Sequence, residues 1–509
     1  MNTPDWIARG VSKLLPAAHS SREIAAATHA PRSQAAIKPR ASEASPAPTD
    51  AVTTAAGGNV RMASRSTRDR LRATLSEKNE ALSPRVLRRT LQELQAIIDP
   101  RVSEVEGGRR AMDVAAWYGG AKPAQRRDMW LLMSEEFVAD AQKTKLAQAQ
   151  FAAAVGTPDE AVAEVRYRRA TVSPRRRLLQ RFSAFPDGIR FLVDLRADML
   201  PSLKADKRLQ ALDVEMEYMF STWFDVGFLD LRRISWDSPA SLIEKLIKYE
   251  AVHDIKGWAD VKNRLDSDRR CYGFFHPRLP DDPLIFVEVA LVGEMAHSIT
   301  PLLDESADAA DLNKATTAIF YSISNTQGGL RGVSFGDSRI KRVVETLKEE
   351  FPKLRTFATL SPIPGFRSWL GKNAAGMLDK LDDKARAALG RAVGSEAPDV
   401  GQFLAALDDV LALPAKSPLR LMLLHCAAQY LGQALDDGKP IDSVARFHLG
   451  NGARVERLNW AGDPSAKGVK QSYGLMVNYL YDLKRLDKHR SLLAQGKIPV
   501  SGGIEDLYI

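Results

Sequence analysis

The fold is decided by residues 317–351, which read TAIFYSISNTQGGLRGVSFGDSRIKRVVETLKEEF. The β-branched and aromatic run 317–323 predicts a strand, and the glycine-rich segment 325–337 predicts a loop. A helix that ends at Pro352 is then predicted by apolar residues at helical spacing, namely Ile340, Val343, Val344, Leu347 and Phe351. Such a strand, loop and helix present backbone N–H groups and a positive dipole end, which makes the loop a candidate phosphate site. An ordinary strand-to-helix turn is the more common structure with this pattern.

The spacing of the glycines separates this loop from two common phosphate-binding loops. It lacks the Gly-Lys-Ser/Thr of the P-loop and the G-x-G-x-x-G of dinucleotide-binding folds. From Arg331 to Gly336 it is instead loosely similar to the Q/R-x-x-G-x-G/A loop with which GCN5-related acetyltransferases hold the pyrophosphate of coenzyme A. The match to this loop of the GCN5-related acetyltransferases (GNATs) is loose.

The rest of the chain divides into regions of different pattern. Residues 1–66 are rich in Ala, Ser, Thr and Pro, which cannot build a core, so we predict a disordered leader. Residues 67–232 follow helical periodicity almost throughout, whereas in 233–509 β-type runs such as 284–291 and 356–360 alternate with helices. We therefore predict a multidomain α and α/β (α+β) protein, with an N-terminal helical bundle followed by a mixed catalytic domain.

One predicted helix of the first half carries a continuous apolar stripe. Its members follow each other at intervals of three and four residues: Leu209, Leu212, Met216, Met219 and Trp223. Such a stripe packs either against neighbouring helices of its own bundle or in a subunit interface.

Composition and charge exclude several classes of protein. The 72 basic and 63 acidic residues give a modest net charge of +9, and the arginine runs are interleaved with acidic stretches, unlike the concentrated charge of a nucleic-acid binder. No run of about 18 apolar residues is present to span a membrane. Cys271 and Cys426 form neither a disulfide scaffold nor a Cys-rich zinc site. We expect a bacterial-type cytoplasmic protein, or a mitochondrial matrix protein if the leader is a transit peptide.

Two polar residues later in the chain are candidates for chemistry. Ser361 follows the predicted strand 356–360, at the edge where open α/β sheets bind ligands, although serine is also a common turn residue. His448 lies in 444–455, which we predict to form a strand, a Gly-Asn-Gly turn and a second strand, with Arg446 and His448 on one face. A structural histidine is the alternative. The histidines do not show metal-ligand spacing, so we predict no metal site.

Five blocks of sequence, in the same order, resemble the malonyl-CoA decarboxylase family over about residues 75–500. They are Tyr321-Ser322-Ile323-Ser324, Ile340-Lys341-Arg342-Val343-Val344, Leu360-Ser361-Pro362-Ile363-Pro364-Gly365-Phe366, Phe447-His448-Leu449-x-Asn451-Gly452-Ala453 and Ser472-Tyr473-Gly474-Leu475-Met476-Val477-Asn478-Tyr479. The resemblance implies an N-terminal helical oligomerisation domain, commonly tetrameric, and a GNAT-like catalytic domain. It also implies that Ser361 and His448 act at the reacting centre, as proton acceptor and proton donor.

The resemblance further implies where the substrate binds and what happens to it. Substrate contacts fall on Ser361, His448 and the loop residues Arg331, Gly332, Val333, Ser334, Phe335, Gly336 and Asp337. Ser334 stands where the family usually has an acidic residue, so a role for that acid is not carried over. The implied reaction converts malonyl-CoA to acetyl-CoA and CO2 through a thioester enolate protonated at C2, and it needs no cofactor because the thioester accepts the electrons. The alternatives are a GNAT-type acyl-CoA-dependent N-acyltransferase and a non-enzymatic assembly protein whose loop binds a nucleotide.

Overall fold

The structure, a computed structural model, describes residues 82–333, 339–395 and 399–508, with the side chain of Arg339 also outside the description. The predicted leader and four predicted substrate contacts, Ser334, Phe335, Gly336 and Asp337, lie outside the described residues. Within the described part the chain is helical first and mixed afterwards, as its pattern predicts.

Eight α-helices precede the first strand in the described part of the chain: α1 (Pro84–Ile97), α2 (Glu104–Gly120), α3 (Pro123–Glu135), α4 (Ala141–Ala154), α5 (Glu160–Thr171), α6 (Pro174–Ser183), α7 (Gly188–Met199) and α8 (Gln210–Trp223). Local capping defines several starts. Ser83 and Ser103 accept hydrogen bonds from backbone N–H groups of the first turns of α1 and α2, and Asp140 does so for α4. Helices α4 and α5 pack mainly against each other as a hairpin.

The predicted apolar stripe lies on α8 and on the short 3-10 turn just before it. Leu209, Leu212, Met216 and Met219 are buried, and Trp223 is partly buried against the same core. These side chains pack within the chain itself, which confirms the first of the two alternatives for this stripe.

In the described part of the chain the main sheet has eight strands: β1 (Asp230–Ile234), β2 (Arg269–His276), β3 (Leu279–Val292), β4 (Thr317–Asn325), β5 (Thr356–Thr359), β6 (Ser361–Pro362), β9 (Arg454–Asn459) and β10 (Met476–Leu480). A separate pair joins β7 (Leu435–Asp436) to β8 (Lys439–Pro440). The strand order is β1-β2-β3-β4-β5-β10-β6, with β9 also paired to β10. The predicted strands at 284–291, 317–323 and 356–360 are confirmed. The sheet begins at Asp230, so residue 233 lies inside β1.

The only parallel pair among the described strands joins β4 to β5, with Thr317 opposite Thr356 and Phe320 opposite Thr359. A parallel connection needs a crossover, and helix α11 (Arg339–Glu350) supplies it. The predicted helix after the glycine-rich loop is thus confirmed. Its apolar face is buried through Ile340, Val343, Val344 and Leu347.

The remaining described helices lie between or after the strands along the chain: α9 (Ala240–Tyr249), α10 (Trp258–Arg264), α12 (Phe366–Asp379), α13 (Asp383–Val393), α14 (Val400–Ala405), α15 (Pro418–Gly432), α16 (Ser443–Gly450), α17 (Ala466–Ser472), α18 (Leu486–Ala494) and α19 (Gly502–Glu505). One hydrophobic cluster extends from Leu87 of α1 to Ile504 of α19, so the helical region and the sheet share a continuous core. Of the helices that are described, none has the length and apolar character needed to cross a membrane.

Candidate active site

A cavity of about 520 Å³ opens between strands β4 and β6 and helix α16. Its apolar wall includes Phe320, Ile323 and Phe447. The polar groups that line it come from distant parts of the chain: Asn325, Arg331, Ser361, Ser443 and His448. Folding therefore brings both predicted reacting residues and the first residue of the predicted substrate loop to one cavity of ligand size.

Ser361 and His448 are in direct contact at this cavity. The distance between Ser361 Oγ and His448 Nε2 is 3.2 Å, and both residues are buried. Ser361 Oγ also donates a hydrogen bond of 2.8 Å to Thr359 Oγ1, which in turn accepts the backbone N–H of Tyr479 at 3.1 Å. Because the serine proton points to Thr359, its oxygen is left to accept the N–H of His448 Nε2.

The other ring nitrogen of His448 is hydrogen-bonded to a tyrosine. His448 Nδ1 lies 2.8 Å from the hydroxyl of Tyr481, just after β10. If Nε2 carries the proton toward Ser361, Nδ1 is an acceptor and the tyrosine hydroxyl is its donor. The hydrogen bonds thus favour one tautomer of a neutral imidazole, held between a tyrosine and a serine.

The surroundings of His448 are apolar and aromatic. The ring of Tyr479 stacks on the imidazole at a centroid distance of 4.7 Å, and the ring of Phe447 meets it edge-on at 5.0 Å. Burial lowers the pKa of His448 from 6.5 to about 3, because desolvation penalises the imidazolium. His448 is therefore neutral near pH 7 in the protein without substrate.

His448 lies on a helix, so the predicted strand at 444–449 and the hairpin are wrong. The second predicted strand is confirmed as the start of β9 (Arg454–Asn459). Helix α16 begins after Asp442, whose carboxylate accepts the backbone N–H groups of Val444 and Ala445, both at 2.9 Å. Its buried face consists of Ala445, His448 and Leu449, at helical spacing. This N-cap and spacing were visible in the sequence, but the Gly-Asn-Gly triplet, which ends the helix, resembled a hairpin turn.

The described part of the glycine-rich loop reaches the cavity through Arg331. Gly328–Leu330 forms a short 3-10 turn, Arg331 lines the cavity, and Gly332 has φ +82°, a conformation that favours glycine. Of the seven loop residues predicted to contact substrate, Arg331, Gly332 and Val333 are described.

Glu250, an acidic residue that the sequence analysis did not single out, forms hydrogen bonds with the segments that make up the cavity wall. The carboxylate of Glu250 accepts the hydroxyls of Ser322 and Ser324 on β4, and the backbone N–H groups of Val252 and His253. Val252 itself lines the cavity. The two serines lie in a block that carries the family resemblance, and their alternation along a strand is the signal that places both on one face.

Two further residues of the site escaped the sequence analysis. Thr359 precedes Ser361 by two positions in the β5–β6 stretch, so strand alternation alone placed them on one face. Tyr481 carries no such local signal, because it reaches His448 only through the position of β10 in the sheet. Among the described residues, no group of three or more His, Cys, Asp or Glu side chains is placed to hold a metal ion.

The fold and the site together define a mixed helix and sheet protein that carries a buried serine–histidine pair in a ligand-sized cavity beside a glycine-rich loop. Comparison with known sequences then gives the family. The C-terminal domain of malonyl-CoA decarboxylase matches residues 227–508, and the N-terminal domain of malonyl-CoA decarboxylase matches residues 137–224. The chain belongs to the malonyl-CoA decarboxylase family.

Individual relatives are similar to this chain over most of their length. The mitochondrial malonyl-CoA decarboxylase of Anser anser anser is 34% identical over 436 residues, which is 81% of this chain and 85% of the relative. The crystal structure of malonyl-CoA decarboxylase from Rhodopseudomonas palustris has a TM-score of 0.71 at 39% identity, covering 82% of this chain and 99% of that one. The enzyme structure from Cupriavidus metallidurans has a TM-score of 0.68 at 42% identity, with coverage of 83% and 100%.

Proposed function

We propose that this protein is a malonyl-CoA decarboxylase, a carboxy-lyase that converts malonyl-CoA to acetyl-CoA and CO2. The observation that carries the proposal is the contact of Ser361 with His448 in a cavity of about 520 Å³, in a chain of this family. The comparisons do not favour the N-acyltransferase alternative, since the relatives above are named as decarboxylases.

The reaction needs little beyond a placed substrate and a proton. The bond between C2 and the carboxylate carbon breaks, CO2 leaves, and the electron pair enters the thioester as an enolate. One proton then adds to C2 to give the methyl group of acetyl-CoA, so each turnover consumes one proton. The thioester is its own electron sink, and the protein stabilises the enolate oxygen with hydrogen-bond donors.

The proposed route of the proton follows the hydrogen bonds of the site. With substrate bound, the Ser361 hydroxyl turns from Thr359 to C2, gives its proton to C2 and accepts the Nε2 proton of His448, which matches the implied roles of proton acceptor and proton donor. The contact of Tyr481 with Nδ1 supports this route, because the phenol can give its proton to Nδ1 as Nε2 loses its own. The resulting phenolate takes the one proton consumed in each turnover from water before the next substrate binds. A neutral imidazole is the starting state that this exchange requires.

The glycine-rich loop is the proposed binding segment for coenzyme A. Arg331 places a cationic side chain at the cavity, and Gly332 lets the backbone turn there. The proposal extends to Val333, Ser334, Phe335, Gly336 and Asp337 on the family resemblance. A GNAT-like fold for residues 233–509 is part of the same proposal, and the β4–loop–α11–β5 crossover supports it.

The helical region 67–232 is proposed as the oligomerisation domain, with a tetramer as the expected assembly. Its α4–α5 hairpin exposes large apolar side chains, including Leu146, Val162 and Val165. Sedimentation of the L146E/V165E variant should show a smaller particle than the parent, and an unchanged particle would remove the hairpin from the interface. For the location we propose the bacterial cytoplasm, or the mitochondrial matrix if residues 1–66 are a transit peptide.

The test of the function is direct. Purified protein is incubated with malonyl-CoA, without added metal or amine, and acetyl-CoA and CO2 are followed together. Equal amounts of both products are expected. Intact malonyl-CoA in the presence of folded protein would contradict the proposal, and release of free coenzyme A only after addition of an amine would indicate the acyltransferase.

A further inference from the structure

An arginine of the helical region holds the glycine-rich loop by its backbone. Arg196 lies on α7, and its side chain is 2% exposed. Its Nη1 donates to the carbonyl oxygen of Gly329 at 2.7 Å and to that of Arg331 at 2.9 Å. One guanidinium nitrogen therefore fixes two carbonyls of the turn that leads into the cavity.

The guanidinium of Arg196 is itself fixed from the other side. Its Nε donates to Asp213 Oδ1 of α8 at 2.8 Å, so the side chain bridges two helices and the loop. A planar guanidinium holds several acceptors in a rigid geometry, which the ammonium of lysine does not reproduce. The orientation of Arg196 is thus set by the helical region before substrate arrives.

Close packing at Gly329 strengthens the link between the loop and α7. A Cβ atom built on Gly329 would lie 1.8 Å from the carbonyl oxygen of Val193, so the loop backbone rests directly on the helix. Only glycine allows this approach. The turn is consequently held by contact with Val193 and by hydrogen bonds from Arg196.

We propose that Arg196 is a positioning residue for the nucleotide part of the acyl-CoA, acting through the backbone of Gly329 and Arg331. The inference rests on the proposed function of the loop, and it gives the helical region a second task besides assembly. Arg331 lines the cavity and follows the held turn directly. A loop released from Arg196 would lose conformational entropy on binding the phosphates, so affinity would fall while the Ser361–His448 contact stayed intact.

The experiment compares Arg196→Lys with the matched control Arg175→Lys. Arg175 of α6 is also buried and also donates to backbone carbonyls, those of Met133 and Ala211 at 3.0 and 3.2 Å, but these lie within the helical region. The KM and kcat of both variants are measured with malonyl-CoA and with malonyl-pantetheine, which lacks the nucleotide phosphates. The Kd for free coenzyme A is measured by calorimetry.

For Arg196→Lys we expect a rise of about tenfold in KM for malonyl-CoA and in Kd for coenzyme A, with kcat and the malonyl-pantetheine parameters within about twofold of the parent. The Arg175→Lys control should leave all of these constants unchanged. Equal losses with both substrates, or an unchanged Kd, would overturn the proposal. The Kd also separates this inference from the proposed function, because a protein that binds coenzyme A without decarboxylating still tests Arg196.

A second variant covers the case in which Arg196→Lys does not fold. Asp213→Asn removes the negative charge that orients the guanidinium and leaves the two carbonyl contacts of Arg196 in place. A smaller rise in the Kd for coenzyme A, of about threefold, is then expected. A Kd equal to that of the parent protein would overturn the proposal.

Discussion

Two buried polar clusters of this protein differ in whether their members are neutral or charged. The reacting cluster consists of Thr359, Ser361, His448 and Tyr481, all joined by hydrogen bonds between neutral groups. The arginine cluster consists of Asp260, Arg264 and Glu288, in which the guanidinium contacts one carboxylate at 2.7 Å and the other at 2.8 Å.

This difference in charge suits the two clusters to different roles, one in stability and one in proton transfer. Removing one partner of a buried ion pair lowers the free energy of unfolding by several kcal/mol. The arginine cluster, which joins α10 to β3, is therefore a fixed structural contact. A chain of neutral donors and acceptors can pass a proton to the enolate and take over its single negative charge, so the total charge at the cavity does not increase, which suits a group that must protonate substrate. We therefore expect the reacting cluster to determine turnover and the arginine cluster to determine stability.

The largest expected effect is on turnover. His448→Ala removes the proposed proton donor, and we expect kcat to fall by about 10²–10⁴ while the Kd for coenzyme A changes little. Steady-state kinetics and calorimetry check this. His425→Ala is the control, since His425 is a partly buried histidine that contacts the carbonyl of Leu507 and lines a different cavity. Turnover retained by His448→Ala would remove His448 from its role.

A substitution in the arginine cluster should lower stability and leave turnover unchanged. Arg264→Met leaves Asp260 and Glu288 buried without their cation, so the free energy of unfolding should fall by about 3–5 kcal/mol while kcat per folded molecule is kept. Denaturant titration measures the loss. The exposed Arg89, 3.8 Å from Glu93, provides the control, because Arg89→Met should cost less than about 1 kcal/mol. A loss of kcat with unchanged stability would contradict the comparison.

Two tyrosines that contact His448 test which contact of the imidazole contributes to turnover. Tyr481→Phe removes the hydroxyl that contacts His448 Nδ1, and we expect kcat to fall about tenfold, the equivalent of one hydrogen bond. Tyr479→Phe is the matched control, because the ring of Tyr479 stacks on the same imidazole but its hydroxyl has no hydrogen-bond partner among the described residues. Equal kcat values for the two variants would show that the Nδ1 contact has no part in turnover.

The smallest effect is a pH dependence of stability. The pKa of His448 is about 3 in the folded protein and near 6.5 in the unfolded chain, so between these values the unfolded chain binds one more proton. The free energy of unfolding therefore falls as pH falls through this window, by about 1 kcal/mol between pH 6.5 and 5.5. His448→Gln lacks this contribution. A difference between parent and variant that does not change with pH would contradict a neutral, desolvated imidazole.

The sequence was a good guide wherever a local pattern was long and unambiguous. The helix at 340–351 and the strands at 284–291 and 317–323 follow directly from periodicity. The strand predicted around His448 failed because eight residues of α16 are too few to separate the two periodicities, and the Gly-Asn-Gly triplet favoured a turn in either case. Ser361 and His448 were found through the family resemblance, since neither has a strong local signal.

By itself, the sequence determined the order of helical and mixed regions, the strand–loop–helix unit and the family, because periodicity and motif order are properties of neighbouring residues. Tertiary structure alone decided that Tyr481 faces His448, that Thr359 accepts the hydrogen bond of the Ser361 hydroxyl, and that Arg196 reaches across to the loop. These contacts join residues from separate elements, and burial then lowers the pKa of His448. Such distances and desolvation arise from the packing of the whole chain and have no counterpart in any local stretch of sequence.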